Sequence, residues 1–322
     1  MTIESKIKLQ LDTKICEKVP GKGGGGCINS GECYRIDDNK LIFVKICTKS
    51  NADEIMSGEF NSLRAIRDTN QINVPEALGI VRQPNEVALI MSYIDMKSLN
   101  QLQGELGTNL AKLHLHNQQL MEQHDYNAGF VGSSGSMETG VDCVEPVTEF
   151  GFQCVTNCGA IAQNNEWQKD WITFFTRNRL EHQIKMIEEN YNDRKVNELW
   201  SELQLKIPKF FKYFTDHAIN IKPSLLHGDL WSGNACESNG QPFIFDPCCF
   251  YGHSEYDLAI GEMFGGFRST FHQHYTNVIG KAEGAEKRIE LYQLFHYLNH
   301  WNHFGGGYRS QSLNLMKKLN RM

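Results

Sequence analysis

With 322 residues, the chain is long enough for two compact units or one large one. Hydrophobic residues make up 40% of it and charged residues 22%, a balance that can fill an apolar core and excludes an intrinsically disordered chain. The formal net charge of -6 comes without a basic stripe, which argues against a dedicated nucleic-acid-binding protein.

Residues 1–19 alternate charged and apolar side chains and lack the continuous apolar stretch of a secretory signal. No apolar run approaches the roughly 20 residues that a membrane-spanning helix needs. We therefore expect a cytoplasmic protein without a membrane partner. The ten cysteines are expected to be mostly reduced and structural, since their pairs do not repeat at the spacing of a zinc site.

The first region, residues 1–94, has the pattern of a small sheet that carries one helix. Residues 41–46 and 87–91 are apolar runs rich in β-branched side chains, as is typical of strands. Between them, apolar residues recur at three-residue steps from Phe60 to Ile66 and mark one face of a helix. We expect this region to form the smaller, N-terminal lobe.

The second region, residues 95–322, has mostly helical patterns. Leu106, Leu110 and Leu113 are spaced by four and three residues, and an aromatic stripe begins at Trp167. Such stripes are typical of core packing. We expect a larger helical lobe that holds the catalytic and substrate-binding residues.

The strongest chemical signal lies in this second region, where Asn234 follows Asp229 by five residues. This is the catalytic-loop spacing of kinases. A carboxylate must orient or deprotonate the attacking hydroxyl, and an amide oxygen must coordinate magnesium, so a short loop brings both to one phosphate. The alternative is an ordinary polar turn.

A second carboxylate ends a short apolar strand twelve residues after Asn234. Asp246 follows residues 243–245 directly and precedes a proline. An Asp in this position can simply start a turn. With the catalytic loop just upstream, its layout favours a second magnesium ligand.

Lys45 lies within an apolar strand, where an ammonium group is costly unless it finds anionic partners. ATP phosphates and the carboxylate of Glu59, fourteen residues further on, would supply them. The alternative is a surface lysine on an edge strand. The order along the chain of glycine-rich loop, lysine, glutamate and catalytic loop favours the kinase interpretation.

Gly24, Gly25 and Gly26 end a glycine-rich segment that matches neither the dinucleotide-binding nor the Walker pattern. Such a segment could be a flexible linker. Its position before the Lys45 strand favours a loop that covers the ATP phosphates with its backbone N–H groups.

Cys27 follows these glycines directly, and Lys22 is close in sequence. Positive surroundings lower the pKa of a thiol, and an exposed thiolate is oxidised readily. We therefore expect Cys27 to be a redox switch, with a monomer that becomes a disulfide-linked homodimer on oxidation. The alternative is a small buried cysteine that does not react.

Several longer segments together resemble the fructosamine 3-kinase and ketosamine 3-kinase family. The similarity runs through nearly the whole chain, and the segments that carry it are 24–28, 165–168, 227–234, 245–247, 250–253 and 297–304. The resemblance implies an α+β, two-lobed protein-kinase-like fold related to aminoglycoside and choline kinases. It has a small N-terminal antiparallel sheet lobe with one helix and a larger, mostly helical C-terminal lobe.

The resemblance also implies an activity, namely ATP-dependent phosphorylation of the 3-hydroxyl of ketosamines, either as small molecules or on glycated proteins. The phosphorylated adduct then falls apart and frees the amine, which amounts to protein deglycation. By the family pattern, Asp229 is the base, Asn234 and Asp246 hold Mg²⁺, and Lys45 with Glu59 positions the phosphates of ATP.

Further roles follow from the same pattern. The adenine is expected to bond to backbone near Ser92 and Ile94, and Asp257 is expected to support the catalytic loop rather than to bind a ligand.

Three aromatic positions in the resembling segments are candidate substrate contacts. Trp231 could stack on the sugar, and His300 and Trp301 could line its pocket, with core packing as the alternative for each.

Two other functions stay open. One is a kinase of the same fold for an aminoglycoside, choline or a sugar alcohol, and the other is a non-catalytic binding or redox-sensing module.

Overall fold

The computed structural model describes residues 2–25, 29–130 and 145–322. The N-terminal lobe is built from two helices and five strands of this part of the chain. They are α1 (Ile3–Leu11), β1 (Cys16–Gly25), β2 (Ser30–Ile36), β3 (Leu41–Cys47), α2 (Ala52–Asp68), β4 (Ala77–Gln83) and β5 (Glu86–Ser92). The strands form one antiparallel sheet in the order β1-β2-β3-β5-β4.

The alternation of side chains along β3 decides what each face of this sheet carries. Ile42 and Val44 are fully buried on the face that α1 covers, where they share an apolar cluster with Ile7. Lys45 points to the opposite face, where it meets Glu59 of α2. The strand thus contributes apolar side chains to one face and a lysine to the other.

Helix α1 was not predicted. Its apolar contact with the sheet is a stripe of Ile3, Ile7 and Leu11, spaced by four residues, of which Ile7 alone is fully buried. The remaining positions are polar except Leu9, which is 72% exposed, so the segment has no wide apolar face in sequence. The expectation of one helix on this sheet is therefore incomplete, since α1 and α2 pack on opposite faces.

The C-terminal lobe is mostly helical, and a π-helical segment (Phe175–Glu181) joins its second helix to its third. Its helices are α3 (Gln103–Phe130), α4 (Trp171–Phe174), α5 (His182–Tyr191), α6 (Arg194–Phe210), α7 (Lys212–Asp216), α8 (Tyr256–Phe264), α9 (Ser269–Ile279), α10 (Ala285–Phe304) and α11 (Arg309–Asn320). Short strands lie between the helices: β6 (Lys97–Ser98), β7 (Thr156–Cys158), β8 (Ile161–Gln163), β9 (Ser224–Leu226), β10 (Ala235–Ser238), β11 (Gln241–Ile244) and β12 (Phe250–Gly252).

These short strands position the candidate catalytic loop. The sheet β11-β10-β6 and the pair β12-β9 flank the loop at 227–234, while β7 pairs with β8. Beneath them lies an aromatic core in which Trp171 donates a hydrogen bond from Nε1 to the hydroxyl of Tyr292 at 2.9 Å. The small sheet and the larger helical lobe confirm the predicted α+β class.

Strand β5 ends at Ser92, and the chain reaches β6 five residues later. Among the residues that the structure describes, none belongs to a helix with the length and apolar character of a membrane span.

Candidate active site

Lys45 is the centre of an ion-pair network between the two lobes. Its Nζ lies 2.6 Å from Oε2 of Glu59 and 3.0 Å from Oδ1 of Asp246. Burial alone would lower the pKa of this ammonium, but the two carboxylates outweigh burial and raise it, so Lys45 stays charged. The pairing of strand lysine and helix glutamate that the sequence predicts is present in the structure.

The two carboxylates differ in access. The side chain of Glu59 is 8% exposed, whereas that of Asp246 is 47% exposed and borders the cleft. Glu59 therefore anchors the lysine from within the first lobe, and Asp246 is the carboxylate that a ligand can reach.

The loop at 227–234 follows β9 and is fixed by its first residue. His227 is buried, and its backbone carbonyl accepts a hydrogen bond from the N–H of Cys248 at 2.9 Å. Its Nε2 lies 3.0 Å from the carbonyl of Phe245, and its Nδ1 accepts from the N–H of Asp229 at 3.2 Å. This pair of contacts selects the tautomer with hydrogen on Nε2, because a carbonyl can only accept. Burial lowers the pKa of His227 and favours this neutral form.

Asp229 and Asn234 converge as their spacing predicts. The Nδ2 group of Asn234 donates to the backbone carbonyl of Asp229 at 2.9 Å and to its Oδ2 at 3.2 Å. Burial, and then the nearby charge of Asp246, raises the pKa of Asp229 to about 7, against the lowering effect of the Asn234 hydrogen bond. Asp229 is thus a carboxylate that takes up a proton near neutral pH.

Asp257 supports this loop from the start of α8. Its carboxylate accepts hydrogen bonds from the backbone N–H groups of His227 at 2.7 Å and Gly228 at 2.8 Å, and from Nε2 of His114 at 3.1 Å. Burial would raise its pKa, but these bonds and the nearby imidazoles outweigh burial and lower it. Asp257 therefore stays ionised, and its predicted supporting role is confirmed.

The backbone at position 228, whose N–H donates to Asp257, requires glycine. Its φ of +87° lies in the left-handed region, and a Cβ atom there would approach the carbonyl oxygen of Cys248 to 2.4 Å. Any other residue would therefore separate the loop from the segment that carries Asp246.

Asp246 itself has a left-handed backbone, with φ at 58°. Asp and Asn enter this region more readily than other non-glycine residues. The turn follows directly after Phe245, whose N–H donates to the carbonyl of Asn234 at 3.0 Å. The two candidate metal-binding residues therefore belong to loops that are hydrogen-bonded to each other.

A cleft of about 540 Å³ lies between the lobes and is lined by three of the seven predicted nucleotide contacts and by both predicted metal ligands. Its lining includes Lys45, Ser92, Ile94, Asn234 and Asp246. The N–H of Ser92 already donates to the carbonyl of Glu76 at 2.9 Å and is therefore occupied.

The glycine-rich segment is only partly described. Gly24 and Gly25 lie in β1 and pair with Gly31 and Ser30 of β2, which line the cleft. Gly26 and Cys27 lie outside the described residues, so the redox role of Cys27 stays a prediction.

Beside the catalytic loop lies a surface of aromatic rings, which we call the aromatic wall. Trp231 lies 5.7 Å from Phe264 between ring centroids, and Phe264 lies 5.4 Å from His300. His300 stacks in turn on Phe304 and Tyr308 at 5.7 Å and 5.0 Å. Two of the three predicted substrate contacts therefore belong to one surface.

Trp301 is separate from the aromatic wall. It is 1% exposed and packs against Tyr191 at 6.0 Å between ring centroids. Since α10 turns by about 100° per residue, consecutive side chains point in different directions, and Trp301 faces the core while His300 faces outward. We therefore leave Trp301 out of the proposed substrate site.

Sequence reasoning missed two members of this site. His114 reaches Asp257 from α3, and Phe264 joins Trp231 to His300 from the end of α8. A histidine within an apolar helix face and a phenylalanine near a glycine pair carry no distinctive spacing, so no signal in the sequence singles them out.

The donor set suits a hard cation. The carboxylate of Asp246 is open to the cleft, and the Nδ2 group of Asn234 is bound to Asp229, which leaves the amide oxygen of Asn234 for another partner. Carboxylate and amide oxygens are the ligands that Mg²⁺ prefers. These two residues therefore fit a magnesium ion carried in with nucleotide.

The sequence is similar to that of known proteins over nearly its whole length. The family model for fructosamine kinase matches residues 1–134 and 140–322. The ketosamine-3-kinase of Mus musculus is 47% identical over 320 residues, covering 99% of this chain and 100% of that protein. The chloroplastic protein-ribulosamine 3-kinase of Arabidopsis thaliana is 34% identical over 304 residues, covering 94% of this chain and 82% of that protein.

A solved structure extends the comparison to the fold. A crystal structure from Haemophilus somnus 129PT, provisionally assigned as a fructosamine-3-kinase, matches with a TM-score of 0.74 at 23% identity, covering 99% of this chain and 96% of that one. The match confirms the two-lobed kinase-like fold, and the sequence matches confirm the family and its kinase class. The chain belongs to the fructosamine kinase family.

Proposed function

We propose that this protein transfers the γ-phosphoryl group of ATP to the 3-hydroxyl of ketosamines, the sugar adducts that glycation leaves on amines. The observation that carries the proposal is the family match over nearly the whole chain. The convergence of Asp229, Asn234 and Asp246 beside one cleft supports it. The names of the mouse and Arabidopsis relatives support the acceptor class.

The chemical step needs one base. The acceptor oxygen forms a bond to the γ-phosphorus while the bond from that phosphorus to the β–γ bridging oxygen breaks and ADP leaves. The hydroxyl proton passes to the carboxylate of Asp229, whose pKa of about 7 suits a proton acceptor at neutral pH. The hydrogen bond from Asn234 holds this carboxylate in one orientation.

The nucleotide is positioned by the charges that meet between the lobes. Lys45 exchanges its contact with Asp246 for the phosphates of ATP and keeps Glu59. Asn234 and Asp246 hold Mg²⁺, which neutralises charge on the phosphate oxygens when it is bound. The ligand-free network is thus already arranged for the charges of MgATP.

The acceptor binds against the aromatic wall. Trp231 lies two residues after Asp229 and also lines the nucleotide cleft, so a sugar stacked on its ring lies between the base and ATP. His300 joins the same wall through Phe264. Phosphorylation of the adduct then makes it fall apart and frees the amine, which places the protein in the repair of glycated amines, small-molecule and protein-bound.

The test is an assay of ADP release with a panel of acceptors. Fructosamine, ribulosamine and psicosamine adducts of lysine should support turnover, whereas an aminoglycoside and choline should not. Turnover with the aminoglycoside or choline alone would instead favour a different acceptor class on the same fold. The absence of turnover with every acceptor, in a protein that binds MgATP, would favour a non-catalytic module.

Asp229→Asn is the matched variant for this assay. It keeps the size of the side chain and removes the base, so kcat should fall by roughly 10²–10⁴-fold while ATP affinity changes little. Near-normal turnover in the folded variant would contradict the assignment of Asp229.

A further inference from the structure

A second cluster of reactive side chains joins Asp229 to two buried residues that do not line the nucleotide cleft. One ligand atom from each of Cys158, His296 and Asp229 lies within 4.8 Å of the other two. Cys158 comes from β7 and His296 from α10, so the fold brings together three residues that are far apart in sequence. The mechanism proposed above uses only Asp229.

His296 is the unusual member of this cluster. Its side chain is 0% exposed, and neither ring nitrogen has a hydrogen-bond partner among the described residues. A buried polar group without a partner costs free energy, so such groups in folded proteins are usually bonded to something. Burial lowers the pKa of His296 to about 3, which keeps the ring neutral and able to donate a lone pair.

Cys158 is arranged as an acceptor. Nδ2 of Asn299 donates to its Sγ at 3.2 Å, and Nε2 of Gln183 donates to Oδ1 of Asn299 at 3.3 Å. A hydrogen bond with Cys158 also raises the pKa of the Cys248 thiol. Outer hydrogen bonds of this kind hold metal ligands in place.

We propose that Cys158, His296 and Asp229 form an inhibitory site for a borderline-soft divalent cation, with zinc as the expected ion. Thiolate and imidazole donors select zinc over magnesium, and three protein ligands leave a fourth position for water. Binding replaces the proton of the Cys158 thiol, which is released to solvent, with a sulfur–zinc bond. The half-buried carboxylate of Asp229 is the entry side, since Cys158 and His296 are buried.

Zinc bound at this site should inhibit phosphoryl transfer at the cleft. A carboxylate bound to zinc cannot accept the acceptor's proton, so zinc should stop phosphoryl transfer while Asn234 and Asp246 stay free for magnesium. Metal binding here is independent of the proposed function, whereas the inhibition rests on the proposed role of Asp229.

Cobalt replaces zinc as a spectroscopic probe that needs no turnover. Titrating Co²⁺ into the reduced, nucleotide-free protein should give a sulfur-to-cobalt charge-transfer band and the strong visible bands of a four-coordinate ion. Cys158→Ser should lose the charge-transfer band. Cys154→Ser, which changes a half-buried cysteine four residues earlier, should keep it. A band that survives in Cys158→Ser, or no band in the wild type, would overturn the site.

Asp229→Asn is the second variant, because its side chain lies at the edge of the cluster and the change keeps its size. It should keep the thiolate band but require more cobalt for half-saturation, since an amide is a weaker ligand than a carboxylate. An unchanged cobalt concentration at half-saturation would show that Asp229 is not a ligand of the site. This outcome does not depend on whether the protein is a kinase.

Zinc inhibition completes the test, with ADP release measured in excess magnesium and each variant compared with its own zinc-free rate. The zinc concentration for half-inhibition should rise by about 100-fold or more in Cys158→Ser and His296→Gln, and by about 10- to 100-fold in Asn299→Leu, which removes only the outer hydrogen bond. Equal inhibition of the wild type and Cys158→Ser would show that zinc acts elsewhere.

Discussion

The two sides of the nucleotide cleft are held together by different kinds of contact. On the side of the first lobe, Lys45 is bound by side-chain carboxylates alone, one of which belongs to the other lobe. On the side of the second lobe, Asp257 binds two backbone N–H groups of the catalytic loop. Ion pairs between side chains can exchange partners, whereas carboxylate-to-backbone bonds fix a loop. The first side is therefore built to accept a ligand, and the second to hold the base still.

The largest effect is expected from the removal of Asp246, the carboxylate of the second lobe that contacts Lys45 of the first. Asp246→Ala deletes a contact of Lys45 and the proposed, exposed magnesium ligand together. We expect turnover to be abolished and nucleotide affinity to fall mainly when magnesium is present. Isothermal titration with ATP, with and without magnesium, measures this. Equal losses of affinity in both titrations would contradict the metal role.

The next largest effect is expected on stability, at the buried end of the ion-pair network. Lys45→Met leaves Glu59 buried without its partner, which should lower the free energy of unfolding by roughly 3–5 kcal/mol. The double variant Lys45→Met with Glu59→Leu should recover most of this loss, because no isolated charge remains. Urea unfolding of the single and double variants measures the difference. A single variant as stable as the wild type would show that the pair has no role in holding α2 on the sheet.

The fixed side of the cleft is tested at Asp257. Asp257→Asn turns one oxygen into a donor that faces backbone N–H groups, so we expect a loss of about 1–3 kcal/mol in unfolding free energy. The loop that it fixes carries the base, so kcat should fall while the KM for ATP changes little. Asp53→Asn, at an exposed carboxylate bound to Arg82, is the control and should alter neither quantity. If Asp257→Asn changed only the KM for ATP, the proposed division between the two sides would be wrong.

The last effect concerns pH. The pKa of Asp229 is raised to about 7 in the folded protein from an ordinary value of 3.8, so the folded state holds this proton more tightly than the unfolded chain. Through the titration of Asp229, the free energy of unfolding of the wild type therefore decreases as pH rises from about 4 to about 7. Asp229→Asn does not titrate, so its stability relative to the wild type should increase across that window and stay constant below it. Thermal unfolding at a series of pH values measures this, and a constant difference would contradict the raised pKa.

Much of the fold and site could be predicted because the signals are local. A stretch of eighteen residues contains Asp229, Asn234 and Asp246. A strand that ends in a carboxylate can be recognised within such a short stretch of sequence. Lys45 was singled out by the cost of a charge in an apolar strand. Its partner could then be sought on the next helix.

The rest depended on contacts between distant segments. His114 and Asp257 are 143 positions apart, and nothing local marks either as the other's partner. Cys158 of β7 and His296 of α10 are far apart in sequence, and only the fold brings their ligand atoms within 4.8 Å of each other. His300 and Trp301 were predicted together since both are aromatic, and only the packing of α10 shows that one faces the aromatic wall and the other the core.

The left-handed backbone at Asp246 also limits which relatives can be expected to keep this turn. Asparagine enters the same region, so a chain with asparagine here would retain the loop and lose only the negative charge. Glutamate would carry the charge but would have to adopt a conformation that it rarely takes. Under the proposed magnesium role of Asp246, a family member with asparagine at this position is a correctly folded chain without phosphoryl transfer, and one with glutamate is a chain whose loop follows a different path.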